Sequence, residues 1–176
     1  MLFQKILVAI DDSSLSSFVF AAALELAQSN KAVMRLHSSL SSDIVSESTP
    51  PMMLDVSLPL GLVNTDEYQS FQTQQVLIEK QIEEAKAILK RYCDEAINHG
   101  VPTESNYEVG DPGHEICKAA KEWHADLIVV GRRGLTGLTE AILGSVSNYV
   151  VHHAPCSVLV IQDVEPEPPL QADTNR

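Results

Sequence analysis

The chain has 176 residues, 44% of them hydrophobic and 20% charged, which suits one globular domain with a substantial core and leaves too little length for two. Its formal net charge of −12 argues against nonspecific binding to nucleic acid or to an anionic membrane, since both need clustered Lys and Arg. Cys93, Cys117 and Cys156 lie far apart without metal-ligand spacing, and neither a secretion signal nor an apolar run of membrane-spanning length stands out, so the expectation is a soluble cytoplasmic protein with reduced thiols.

Ile6 to Ile10 is a continuous apolar run and predicts a buried strand. It ends in Asp11-Asp12-Ser13-Ser14, four residues able to cap the helix that follows through Ala27. Asp11 has two readings: a helix cap, or a ligand to ribose or to a metal on phosphates. Ala32 to His37 predicts a second strand despite Arg35, and His37 has no partner at metal-binding spacing, so it reads as a structural or partly solvated histidine.

From residue 38 to 66 the chain is rich in Ser, Pro, Met and Leu, with Pro50, Pro51, Pro59 and Gly61 as breakers, and predicts a long loop without a regular element. Its Met52, Met53, Leu54, Leu58, Leu60 and Leu62 are too apolar for a plain linker; they suit a lid over the site, a partner contact or a cover for a core edge. Phe71, Ile78, Ile82, Ala85, Leu89, Tyr92 and Ala96 then form an amphipathic helical stripe that ends at Gly100, a C′ residue, before Val101-Pro102.

Thr103 to Val109 predicts a third strand near the sheet edge, and the turn Gly110-Asp-Pro-Gly113 starts a helix running to Trp123. His114 and Glu115 fall in its exposed first turn, where a structural role outweighs acid–base work. After the last helix, Ala154-Pro155 precedes a fifth strand over residues 157–161, and the acidic, Pro-rich residues 163–176 have the composition of a disordered tail. His152 and His153 are adjacent on a helix and so point apart, which removes a metal pair.

The most informative stretch follows the apolar run Leu127 to Val130: Gly131, two residues, Gly134, nine residues, Gly144, Ser145. A parallel strand should end where the glycines begin, and open α/β sheets bind ligands at that end. Gly131 and Gly134 can adopt positive φ and let the backbone approach a ligand without a Cβ in the way, and Gly144 sits just before Ser145, a good N-cap residue. Free N–H groups there, with the Ser145 and Ser147 hydroxyls, favour phosphate. Arg132 and Arg133 supply local positive charge to an acidic chain. The spacing fits neither a P-loop nor the Gly-x-Gly-x-x-Gly fingerprint.

This glycine–serine pattern, with Lys5 to Asp11 at the start and Pro155 to Ile161 near the end, resembles the ATP-binding branch of the universal stress protein family. The resemblance implies an α/β fold over residues 1–162, with a five-stranded parallel sheet of order 3-2-1-4-5 and helices on both faces. It implies adenine toward Ala9, Ile10 and Ser38, ribose toward Asp11 and Gly131, and phosphates over Gly134, Gly144, Ser145, Val146 and Ser147. Val130, Arg132 and Arg133 complete the set, and Mg²⁺ would accompany ATP at Asp11. Ser38 stands where relatives carry an apolar residue, which makes the base wall more polar. The expected function is an ATP- or AMP-binding regulator of stress responses that acts through an unidentified protein partner, with no catalytic residue. The alternative is a slow ATP hydrolase or phosphotransferase using the same crevice. The apolar outer strand 157–161, which lacks Pro or charge, predicts a homodimer by strand pairing.

Overall fold

The computed structural model describes residues 3–40, 65–132 and 143–162, with side chains from residue 76 onward in the long helix. Strands β1 (Lys5–Ala9), β2 (Val33–Leu40), β3 (Thr103–Val109), β4 (Leu127–Arg132) and β5 (Ser157–Gln162) alternate with helices α1 (Leu15–Asn30), α2 (Thr65–Asn98), α3 (Pro112–Trp123) and α4 (Ser145–His153). The strands are all parallel, in the order β3-β2-β1-β4-β5. This is the expected sheet.

Alternation along the central strands assigns the two faces. Ile6 and Val8 of β1 and Leu127 and Val129 of β4 pack with Val19, Phe20 and Ala23 of α1 and with Leu89, Tyr92 and Ala96 of α2. Leu7, Ile128 and Val130 face the other way, against Ile116 and Ala120 of α3 and Val150 of α4. Helices therefore cover both faces, as a parallel sheet of continuous apolar strands requires. Among the described residues no helix is long and apolar enough to cross a membrane.

Three helix ends share one device. Lys31, Gly100 and His124 take left-handed φ values of 56°, 80° and 56°. The next N–H reaches back five residues each time: Ala32 to Ala27 at 2.9 Å, Val101 to Ala96 at 3.0 Å, Ala125 to Ala120 at 2.9 Å. This is the Schellman arrangement, and it drops a buried Ala32, Val101 or Ala125 just ahead of β2, β3 and β4.

Several boundaries differ from the expectation. β2 continues through Leu40, because Ser38, Ser39 and Leu40 pair with Tyr107, Glu108 and Val109, so backbone pairing outweighs the weak strand preference of serine. The predicted loop 38–66 therefore loses its first three residues to the sheet, and α2 already starts at Thr65. β4 likewise runs past Val130, since Gly131 and Arg132 pair with Ile161 and Gln162. Arg35 sits in β2 at no evident cost: its guanidinium bonds Glu104 at 2.6 Å and lies 4.8 Å from the Trp123 ring. Residues 41–64, Arg133, Gly134 and the tail 163–176 lie outside the described residues.

Candidate functional site

Winding reverses between β1 and β4, and at their carboxyl ends a crevice of about 510 Å³ opens. Ala9, Ile10 and Asp11 form one side of it, and Val130 and Gly131 stand next to them. The Ile10 N–H donates to the His37 carbonyl at 2.9 Å, which fixes the end of β1 against β2.

Asp11 is tied into the turn that enters α1. Its Oδ1 accepts the Ser13 N–H at 3.0 Å and the Ser16 hydroxyl at 2.7 Å, while Ser16 Oγ accepts the Asp11 N–H at 3.0 Å. The N-cap of α1 is Ser14, so Asp11 shapes the turn ahead of the helix rather than capping it. Asp11 is nonetheless one of the residues that line the crevice.

Gly131 has a different role from the one expected. It is a strand residue, and among the described residues Gly100 is the only glycine with positive φ. A Cβ at Gly131 would stand 2.7 Å from Leu15 Cδ2 and 3.1 Å from Val19 Cγ2. The missing side chain lets Leu15 and Val19 of α1 pack close against β4.

Gly144, rather than Ser145, is the N-cap of α4, with the first intrahelical bond from Asn148 N–H to Gly144 O at 2.8 Å. Ser145 is the first helical residue and is exposed, so its hydroxyl makes no cap. Ser147 is buried and donates to Gly144 O at 3.0 Å, holding the helix start in place. Gly144, Ser145, Val146 and Ser147 all border the crevice, so the positive end of α4 opens on it.

The β2 wall holds His37, Ser38 and Ser39. His37 is 1% exposed, with Nδ1 3.1 Å from Asn106 Oδ1 and Nε2 3.0 Å from Ser39 Oγ. A neutral ring donating to Asn106 and accepting from Ser39 satisfies both contacts. Burial holds its pKa below the ordinary histidine value, and the Asn106 bond opposes that shift. The structural reading of His37 is the one observed, although the ring is buried.

Of the expected site residues, Ala9, Ile10, Asp11, Ser38, Val130, Gly131 and Gly144 to Ser147 converge on this crevice. Arg132 does not. Its Nη1 donates to Gln162 Oε1 at 2.8 Å, a consequence of its pairing opposite that residue in β5. The described lining thus carries Asp11, Asp12 and Glu84 and no Lys or Arg. Among the contributions that escaped the sequence reading are Leu15, Ser16 and Val19 of α1, Ser39 and Leu40 of β2, Pro112 and Ile116 at the start of α3, and Gln81, Glu84, Ala85 and Ile88 along α2. The stripe at Ala85 was visible as a core pattern, but nothing local said that its outer end meets the strand ends.

The family profile described as the universal stress protein family matches residues 2–162. The chain is 35% identical over 169 residues to universal stress protein Sll1388 of Synechocystis sp., covering 91% of this chain and 98% of that protein. It is 36% identical over 162 residues to universal stress protein YxiE of Bacillus subtilis, covering 92% and 100%. Among solved structures, a universal stress protein from Archaeoglobus fulgidus in complex with dAMP aligns with a TM-score of 0.57 at 23% identity, covering 91% of this chain and 98% of that one. A universal stress protein in complex with cAMP aligns at 0.59 and 21% identity, covering 92% and 98%. At these identities the structures show the shared fold.

Proposed function

Because the chain belongs to the universal stress protein family, we propose that it is a regulatory protein whose crevice binds an adenine nucleotide, ATP or AMP, as in the ATP-binding branch. One observation carries this reading: the amino-terminal end of α4 opens beside the carboxyl ends of β1 and β4. The dAMP and cAMP bound by the two structural relatives support the ligand class.

In this reading the base lies toward Ile10 and Ser38, the ribose toward Asp11 and Gly131, and the phosphates over Gly144 to Ser147, with Arg133 and Gly134 contributing from outside the described residues. A Mg²⁺ ion would come in with ATP. Among the described residues no group of three or more His, Cys, Asp or Glu gathers, so Asp11 would supply one carboxylate and the phosphates the rest. Nucleotide occupancy would then set the surface offered to a protein partner. β5 is the outer strand, with half-buried Val158 to Ile161, and pairing of two copies there would give a homodimer.

The test is calorimetric titration of ATP and AMP into the protein, alongside Gly144→Val. Saturable binding that the variant loses while keeping its circular dichroism supports the reading. Equal affinity in a folded variant, or none in the wild type, overturns it.

A further inference from the structure

α2 supplies a wall of the crevice that the glycine–serine pattern does not encode. Gln81, Ala85 and Ile88 are separated by four and three residues, the spacing that stacks side chains on one helix face, and all three line the cavity. Ala85 is buried and Ile88 half-buried, and Ile10 and Val19 line the same space. Ile10, Val19, Ala85 and Ile88 give this part of the crevice four apolar side chains, a slot suited to a flat heterocycle. Gln81 is the polar residue one turn outward on the stripe of Ala85. It is half-buried, and among the described residues its amide has no hydrogen-bond partner. Its neighbour Glu84, by contrast, is 3.5 Å from Lys80.

We infer that Gln81 is a specificity-determining residue that reads the base by pairing its amide with the N6–N7 edge of adenine. This rests on the nucleotide reading above and goes beyond it by naming the group that selects the base. The amide carbonyl accepts from the exocyclic N6 amine while the amide nitrogen donates to N7; guanine presents two acceptors, O6 and N7, on the same edge, which one amide cannot satisfy. A position on the helix wall, outside the phosphate loop, separates base choice from phosphate binding.

The experiment is a cycle: wild type and Gln81→Ala, each titrated with ATP and with 7-deaza-ATP, which lacks N7. Alanine is the strongest helix former, so the variant should keep α2, and a thermal melt checks this. The wild type should bind 7-deaza-ATP roughly 2- to 10-fold more weakly than ATP, the worth of one neutral hydrogen bond, and Gln81→Ala should bind the two alike. An equal 7-deaza penalty in both proteins, or no penalty in the wild type, overturns the role of Gln81 and leaves nucleotide binding standing. Failure of the wild type to bind ATP removes the nucleotide reading and this inference with it.

Discussion

Ser145→Asp should move stability and binding in opposite directions. Ser145 is the exposed first residue of α4 and borders the crevice. A carboxylate at a helix start gains about 0.3–1 kcal/mol from the unpaired N–H groups. For a domain of this size that corresponds to a rise of roughly 1–4 °C in Tm. The same charge would face a bound phosphate. One unit of charge against another about 4 Å away costs about 1 kcal/mol in bulk water and about 4 kcal/mol at an effective dielectric near 20. The site is partly open, so ATP affinity should fall by a factor between about 5 and 1,000, at 1.4 kcal/mol per decade. Salt should narrow the difference, because such repulsion is screened. The assay pairs calorimetric titration at low and high salt with a thermal melt, and Ser145→Asn serves as the neutral control. A Tm that rises while the ATP affinity stays at the wild-type value would refute phosphate placement at α4.

The remaining predictions concern stability, pH and assembly. Lys31→Gly and His124→Gly each remove a left-handed non-glycine residue that costs about 1–2 kcal/mol, less roughly 0.5–1 kcal/mol for the freer unfolded glycine. The net of about 0–1.5 kcal/mol should raise Tm by up to about 6 °C in a melt, and a lower Tm in both variants would contradict the strain argument. His37 has a lowered folded-state pKa because it is buried, so its neutral form is the one that stabilises the fold. That contribution is present above the ordinary value of 6.5 and is lost as the pH falls through the folded-state pKa. Urea denaturation at pH 7.5 and 5.5 should show a larger loss for the wild type than for His37→Gln; equal losses would show that His37 does not contribute. Sedimentation should find a dimer that Val160→Pro weakens by removing a backbone donor from β5, and a wild-type monomer at high micromolar concentration would refute the strand interface.

The sheet was readable because its signals are local. Apolar runs at Ile6 to Ile10 and Leu127 to Val130, with the breakers Gly100 and Pro155, predict strands and helices in the right sequence. The strand order came from the family resemblance and matches the observed order. Failures occurred where a neighbour decides. Ser38 to Leu40 have no strand signal of their own and are strand because β3 pairs with them. Gly131 looked like a glycine free to adopt positive φ, but its φ is not positive and the absence of a Cβ is demanded by Leu15 and Val19, residues more than a hundred positions away in sequence. Arg132 looked like a phosphate ligand because it adjoins the glycines, yet β5 takes its side chain.

Gln81 shows the same limit from the other side. In the sequence it is one polar residue in a helix rich in Glu, Gln and Lys, and periodicity assigns such positions to solvent. The stripe of Leu89, Tyr92 and Ala96 is buried against the sheet, whereas Gln81 and Ala85 line the cavity at the strand ends. A helix longer than the strands it covers must carry its inner face past the strand ends. For a parallel sheet, the C-terminal strand ends are also where the ligand crevice forms. The inner-face residues of an overhanging helix are therefore candidates for ligand contact even when no motif marks them.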